Sequence, residues 1–391
     1  MKNNRTFLEK LLDGAEVEWK PLKKVCNFIS TGKLNANAMD ENGIYPFFTC
    51  NEKPYKINSY AFDMEAILIS GNGSQVGHLN YFKGKFNAYQ RTYVIGEFDN
   101  NTLVMYLYHY LNFKLRDYIT INSKKGSVPY ITLPMLEKFE IPIPPLSVQT
   151  EIVRILDALT ALTSEFTSEL ILRQKQYEYY RETLLSPDNL EQLNTGGAKK
   201  KLSDVVNIYL GLTYTPTYVE NGVKFISAQN TSNDFLDLSN TKFISREEFE
   251  KSTSNAKPKR GDILFTRVGS NLGHPVIVDT DEDLCIFVSL GFLRAKDKNI
   301  LNSYIKHWMN TNLFWKQVEK NVHGSAKVNL NTGWLKNFEI YIPPLKEQQR
   351  IVSILDKFET LTHSITEGLP LAIEQSQKRY EYYRELLLNF S

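Results

Sequence analysis

The chain has 391 residues, 42% of them hydrophobic and 12% aromatic, and a formal net charge of +2. That length exceeds one ordinary core and predicts two domains, while the composition excludes a disordered or collagen-like chain. No apolar run approaches a membrane span, the N-terminal MKNNRTFLEKLLDG has no signal-peptide core, and three scattered cysteines fit neither a zinc site nor a disulfide framework. A reducing cytoplasm is the expected compartment.

In chain order, residues 1–16 predict a short helix, FLEKLLDG, ahead of a strand, expected to pack near the C-terminal helix. Residues 17–142 predict a first globular block with β-rich stretches such as EAILISGN and RTYVIGEF, closed by a helical NTLVMYLYHYLN. Residues 143–186 place Ile152, Ile155, Leu159, Leu162, Phe166, Leu170, Tyr177, Tyr180 and Leu184 at helical spacing behind Pro144-Pro145. They predict a ~40-residue helix of about 60 Å with a coiled-coil seam. Residues 187–198, PDNLEQLNTGGA, read as a flexible linker. Residues 199–341 form a second β-rich block ending in NSYIKHWMNTNLFWKQV. Residues 342–391 carry a second seam from Ile351 through Phe358, Leu361, Ile365, Tyr380 and Tyr383 to Leu387. The two helices are expected to pair antiparallel.

The chain repeats itself. IPPLSVQTEIVRILD at Ile143–Asp157 answers IPPLKEQQRIVSILD at Ile342–Asp356, and YEYYRE occurs at Tyr177–Glu182 and Tyr380–Glu385. The second copy holds four more residues near Glu367-Gly368-Leu369-Pro370, about one turn, which a continuous helix absorbs while keeping its face. The blocks repeat faintly: LKKVCNFISTGK against LSDVVNIYLGLT, and GSQVGH (Gly73–His78) against GSNLGH (Gly269–His274). The connectors therefore share one task while the blocks differ. Residues 17–142 hold 14 Lys and Arg against 11 Asp and Glu, and residues 199–341 hold 19 against 15. Both connectors are mildly acidic, so the positive charge sits in the blocks, compatible with two phosphate-facing modules.

The connectors IPPL-x5-IV-x-ILD and YEYYRE, set between two dissimilar blocks, resemble the specificity subunit of type I restriction–modification enzymes. The run SITEGLP and the following QKRYEYYR resemble the branch with regular internal repeats. This resemblance implies a mixed α/β (α+β) fold: two target-recognition domains separated by two long antiparallel coiled-coil helices, with a pseudo-twofold internal repeat. It implies that each domain reads one half of a split double-stranded DNA site. The helices would set the unread spacer and dock two modification (methyltransferase) subunits, with restriction (motor–nuclease) subunits joining for cleavage. No cofactor is then expected on this chain; S-adenosylmethionine, and ATP with magnesium, belong to the partners. In keeping with a non-catalytic chain, the sequence has no [DN]-P-P-[YF] run and no G-x4-GK[ST] loop, and Pro187-Asp188…Glu191 meets Leu193 where a nuclease motif has lysine.

For such a chain the glycine-rich turns offer Ser74, Gln75 and His78 in the first block and Ser270, Asn271 and His274 in the second. Gln75 and Asn271 have the paired donor and acceptor suited to adenine. The glycines equally serve a tight hairpin, and a loop histidine is more often a structural hydrogen-bonder. Gln90 and Arg91 in AYQRTYV stand on an expected strand, where Arg91 reads guanine or pairs with an acid. Arg267 in FTRVGS is the leading candidate of the second block. Lys124, Lys125, Lys257, Lys259, Arg260 and Lys327 are candidates for phosphate, or simply solvated surface. Tyr177, Tyr180, Tyr380 and Tyr383 fall on the seams, whereas Tyr179 and Tyr382 fall off them and are free to meet a docked subunit. The near-repeat TSEF-TSEL at Thr163–Leu170 suggests a helical ruler for the spacer. A pure interaction scaffold, or an enzyme with an unfamiliar site, are the competing classes.

Overall fold

The structure, a computed structural model, describes residues 6–122, 129–192, 196–254, 256–269, 271–321, 329–364 and 366–390. The chain divides into two compact units, one of residues 1–165 with 373–391, the other of residues 166–372.

The first unit is built on a six-stranded sheet in the order Cys26–Thr31, Thr92–Phe98, Phe62–Ser70, Leu79–Ala88, Tyr45–Phe48, Tyr55–Ile57. Its central strand shows why AILI is apolar throughout. Ile67 and Ile69 face the helix Val104–Asn122, whereas Ala66 and Leu68 face a second cluster with Phe48 and Phe86. Both faces of this strand's second half are covered, so there the period-two alternation of side chains never meets water.

The second unit repeats the plan: Ile263, Phe265 and Leu293 face its helices, and Leu264 and Phe292 face the other way. Here the long strand Leu79–Ala88 has become two short ones, Pro275–Ile277 and Leu284–Ile286, separated by the acidic DTDED. The sheet accordingly splits into two of four strands each.

Each block closes on itself before its connector begins. Glu18–Pro21 pairs with Glu140–Ile143, and Ala198–Lys201 with Glu339–Ile342, both antiparallel. A helix of each block, Val104–Asn122 in the first and Asn302–Met309 in the second, is then bolted to the connector. Tyr106 and Tyr304 donate their hydroxyls to the carbonyls of Pro142 and Tyr341, at 2.7 and 2.9 Å. The His109 and His307 rings meet Asp157 and Asp356 through Nε2 at 2.8 and 2.7 Å. These contacts give the repeated ILD its physical meaning: the aspartate receives a buried histidine in both copies.

The first connector is one unbroken helix, Leu146–Leu184. The second is not. It consists of Leu345–His363 and Gly368–Leu388, and the four extra residues fall at the break instead of forming an additional turn. Ser364 explains the stop, because its hydroxyl accepts from the backbone N–H groups of Thr366 and Glu367 and so competes with helix continuation. Gly368 restarts the helix at φ +80°, a left-handed conformation, with the Thr360 carbonyl oxygen 2.6 Å from where a Cβ would lie.

Within each unit the connectors run antiparallel. In the first, Thr163 Oγ1 meets Ser376 Oγ at 2.8 Å while Ile152 and Leu156 share a core with Leu387 and Leu388. In the second, the Tyr177 ring lies 5.6 Å from His363 and that of Tyr180 5.4 Å from Phe358. Tyr177 is buried as the seam requires, and Tyr380 and Tyr383 are half-buried, but Tyr180 is 41% exposed and only leans on Phe358.

The N-terminal helix Phe7–Leu12 sets Leu11 and Leu12 against the core that holds Leu387 and Leu388, as expected for the chain ends. The expected flexible linker starts differently. Pro187–Gln192 is a short helix with Asp188 in its first turn, and Leu190 is buried in the second unit's core. Among the described residues no helix is long and apolar enough to cross a membrane.

Candidate nucleic-acid interface

The glycine-rich stretches form the same turn in both units. In the first, Ser70 N–H donates to the His78 carbonyl at 2.9 Å and Gly77 N–H returns a bond to Ser70 at 2.8 Å. In the second, Thr266 and His274, then Gly273 and Thr266, do the same at 3.2 and 2.7 Å. Gly77 and Gly273 both stand at positive φ, +80° and +76°, which the turn requires. Each histidine then reaches a neighbouring loop: His78 Nε2 meets the Glu52 carbonyl at 3.3 Å, and His274 Nε2 that of Asn233 at 3.0 Å. Their rings brace loops on both sides of the molecule's repeat.

On the first turn Ser74 is exposed and Gln75 half-buried, and on the second Asn271 is exposed. Gln90 and Arg91 do not extend a strand. They form the tight turn between Leu79–Ala88 and Thr92–Phe98, where Gln90 N–H donates to the Leu34 carbonyl at 2.9 Å and both side chains are exposed. A cavity of about 540 Å³ opens here, between Gly71-Asn72-Gly73, Gln90-Arg91, Tyr93 and Tyr130. A second cleft of about 430 Å³ lies across the Asn72–Ser74 ridge, beside Cys50 and Tyr55. Cys50 Sγ donates to Asn72 Oδ1 at 3.2 Å and steadies that ridge. Sequence reading missed Asn72, Tyr93 and Tyr130, because Tyr130 reaches the turn only through its backbone bridge to Asn72.

Arg267, the leading candidate of the second block, directly follows the strand Ile263–Thr266 and is buried. It is 8% exposed, Nη1 donates to the Val288 carbonyl at 3.2 Å, and Nε has no partner among the described residues. Burial lowers its pKa from the usual arginine value.

Several expected phosphate contacts are already committed. Lys257 Nζ lies 2.9 Å from Asp283, and Arg260 Nε 2.9 Å from Asp281. Lys257 first, then Arg246, hold the Asp283 carboxyl below the usual range. These acids belong to the DTDED segment that splits the sheet, so its negative charge meets the KPKR cations across the fold. Lys259 is exposed, its own N–H donating to Asp262 Oδ2 at 2.8 Å. Lys124, Lys125, Ser270 and Lys327 lie outside the described residues. Tyr179 and Tyr382 are 65% and 61% exposed, the off-seam positions of their helices.

Among the described residues His307, Asp356 and Glu359 bring ligand-type atoms within 4.8 Å of one another. The Lys306 ammonium pairs with Glu359, so the chain supplies its own cation there.

A family model described as "Type I restriction modification DNA specificity domain" matches residues 15–173 and again 196–375. The chain is 42% identical to a provisional type I restriction enzyme specificity subunit of Haemophilus influenzae, over 100% of both chains. It is 33% identical to a type I restriction enzyme specificity subunit of Escherichia coli, over 98% of this chain and 97% of that one. In fold it is similar to the crystal structure of a type I restriction–modification S subunit from M. genitalium, with a TM-score of 0.59, 15% identity and 96% of each chain covered.

Proposed function

The chain belongs to the family of type I restriction–modification DNA specificity proteins, and on that premise we propose how its two units divide the work. Each unit reads one half of a bipartite site in double-stranded DNA through its glycine-rich turn. Ser74, Gln75, His78, Gln90 and Arg91 serve the first half-site, and Arg267, Ser270, Asn271 and His274 the second. Lys259, with Lys124, Lys125, Arg260 and Lys327, neutralises phosphates and fixes position without reading sequence. For Arg260 this requires exchanging Asp281 for a phosphate, which exposure of the pair allows.

The connectors set the unread interval and present Tyr179 and Tyr382 to methyltransferase subunits, with motor–nuclease subunits joining. The chain carries no chemistry of its own. S-adenosylmethionine, and ATP with magnesium, act on those partners.

The observation that supports this reading is the recurrence of one backbone turn in two units whose surrounding side chains differ. A shared frame with different side chains is what two half-sites of different sequence need. Long-read methylation mapping in cells carrying this chain with its modification subunit tests it. The expected motif is two short specified blocks of bases, methylated on adenine, around an indifferent interval. A single continuous motif, or methylation independent of this chain, overturns the reading.

A further inference from the structure

The two turns differ at their base in a correlated way. In the first unit Gly71 N–H donates to the Arg91 carbonyl at 2.8 Å and Ile131 N–H donates to the Gly71 carbonyl at 2.8 Å. In the second unit Arg267 N–H donates to the Ser289 carbonyl at 2.8 Å and Leu330 N–H to the Arg267 carbonyl at 2.8 Å. The backbone junction is the same, so Gly71 corresponds to Arg267 and Arg91 to Ser289. Each junction holds one arginine, but the two arginines come from opposite sides of the bond.

Packing makes this an exchange. A Cβ on Gly71 would lie 2.4 Å from the Arg91 carbonyl oxygen and 3.1 Å from the Tyr93 ring, so that position carries no side chain in the first unit. Tyr93 pairs with Ile69 in its sheet; the corresponding pair in the second unit is Gly291 with Phe265. A Cβ on Gly291 would lie 2.5 Å from the Phe265 ring, so no side chain corresponding to Tyr93 stands against Arg267. Two different packing solutions thus deliver a guanidinium to one junction.

Among the described residues neither guanidinium has an acid. Arg91 is exposed and makes no side-chain hydrogen bond or ion pair with the described residues. Arg267 is buried and, among the described residues, has one carbonyl contact and an unpartnered Nε. Arg294 shows how a structural arginine of the same unit is satisfied: Asp262 takes Nε and Nη2 at 2.9 and 2.6 Å, and the Lys257 carbonyl takes Nη2 at 2.8 Å. A buried guanidinium left short of acceptors is costly, and an acceptor pair arriving from outside relieves it.

We propose that this one arginine per unit, Arg91 and Arg267, is the guanine-reading group of each half-site. The inference rests on the DNA-specificity reading above. Guanine offers O6 and N7 side by side in the major groove, and the planar guanidinium fork spans them; a lysine ammonium does not. Arg91 lines one cavity with Gly71, Asn72 and Gly73 of the Gln75 turn, and Arg267 directly follows Thr266, which closes the Asn271 turn, so guanine and its neighbouring bases are read from one loop.

The test uses the full chain with its modification subunits and compares Arg91→Lys, Arg267→Lys and wild type by methylation mapping, salt-dependent DNA binding and melting temperature. Arg91→Lys should relax one guanine in one half of the motif by roughly tenfold or more and leave the other half unchanged. Arg267→Lys should do the same in the other half. Arg267→Gly should lose that guanine, and Arg267→Gly combined with Ser289→Arg should recover it. If the lysine variants keep the motif base for base, the proposal fails, whether or not binding weakens equally on all sequences as a phosphate contact would. A wild-type half-site without guanine also overturns it. If Arg267 variants do not fold, the exposed Arg91 arm decides alone. Failure of the functional reading looks different, because the wild-type chain would then give no bipartite motif.

Discussion

Gln149 and Gln348 each spend one buried side-chain amide on the same three backbone groups. Gln149 Oε1 accepts from Leu103 N–H at 2.8 Å, and its Nε2 donates to the carbonyls of Asn101 and Pro144, both at 2.8 Å. Gln348 accepts from Leu301 N–H at 2.9 Å and donates to Asn299 and Pro343 at 3.0 and 2.8 Å. The Pro-Pro start of each connector and the loop ahead of the helix Val104–Asn122 or Asn302–Met309 are therefore joined through one residue. Gln348→Leu keeps the volume but strands an N–H and two carbonyls. We expect a loss of about 3 kcal/mol in chemical denaturation of the second unit, and Gln149→Leu should act equally on the first. A loss below about 1 kcal/mol would mean that water replaces the amide at little cost.

Those two glutamines also show what was legible in the sequence. The repeated IPPL…Q…ILD spelled out a real device, since Gln149, Asp157 and their copies make matching contacts. The glycine-rich turns were legible for the same reason: Gly77 and Gly273 are fixed by backbone conformation. What escaped depended on partners distant in sequence. The burial of Arg267, with Nη1 on the Val288 carbonyl, and the neutralisation of Lys257 and Arg260 by acids beyond the next strands rest on such partners. AYQRTYV read as one strand because β-formers flank a two-residue turn, which hydrogen bonding to Leu34 holds in place. The second connector read as continuous because its seam residues keep helical spacing across Ser364.

Acid should loosen the first unit through His109. Burial is the larger influence and lowers its pKa from the ordinary 6.5, against an opposing hydrogen bond and attraction from Asp157. A folded-state value below the unfolded one means that the unfolded chain binds the extra proton. His109 therefore contributes stability above pH ~6.5 that is lost as pH falls toward the folded-state value. Denaturation midpoints measured from pH 7.5 downward should fall more steeply for wild type than for His109→Gln. Parallel curves would show that the ring accepts its proton without leaving Asp157.

The three cysteines should separate by reactivity. Burial first, then Asp99, pushes the Cys26 thiol up to about 12, and burial first, then Glu248, raises Cys285 to about 12. Both are withheld as thiols at neutral pH, and only thiolate reacts. Cys50 is half-buried on the ridge beside Asn72. Alkylation of the native chain at pH 8, followed by peptide mass spectrometry, should label Cys50 while Cys26 and Cys285 wait for denaturant. Bound specific DNA should slow Cys50 labelling if the Asn72–Ser74 ridge faces the duplex. Equal labelling of all three in the native chain would contradict the packing around Cys26 and Cys285.

The break in the second connector should depend on Gly368. Its φ of +80° costs an L-residue about 1–2 kcal/mol, and a Cβ would press on the carbonyls of Thr360 and Leu361 at 2.6 and 2.8 Å. Gly368→Ala should therefore destabilise the second unit by at least that amount, whereas Ser364→Ala, which removes only the hydroxyl that accepts from Thr366 and Glu367, should cost less. Urea denaturation of the two variants, read with far-ultraviolet circular dichroism, distinguishes two origins of the break. If Gly368→Ala instead gained helix content and stability, the segment would prefer to run straight, and the interruption would be a strained state held by its surroundings. A loss without gain of helix would mean that the four extra residues build a fixed joint, which an added helical turn in the first connector could not reproduce.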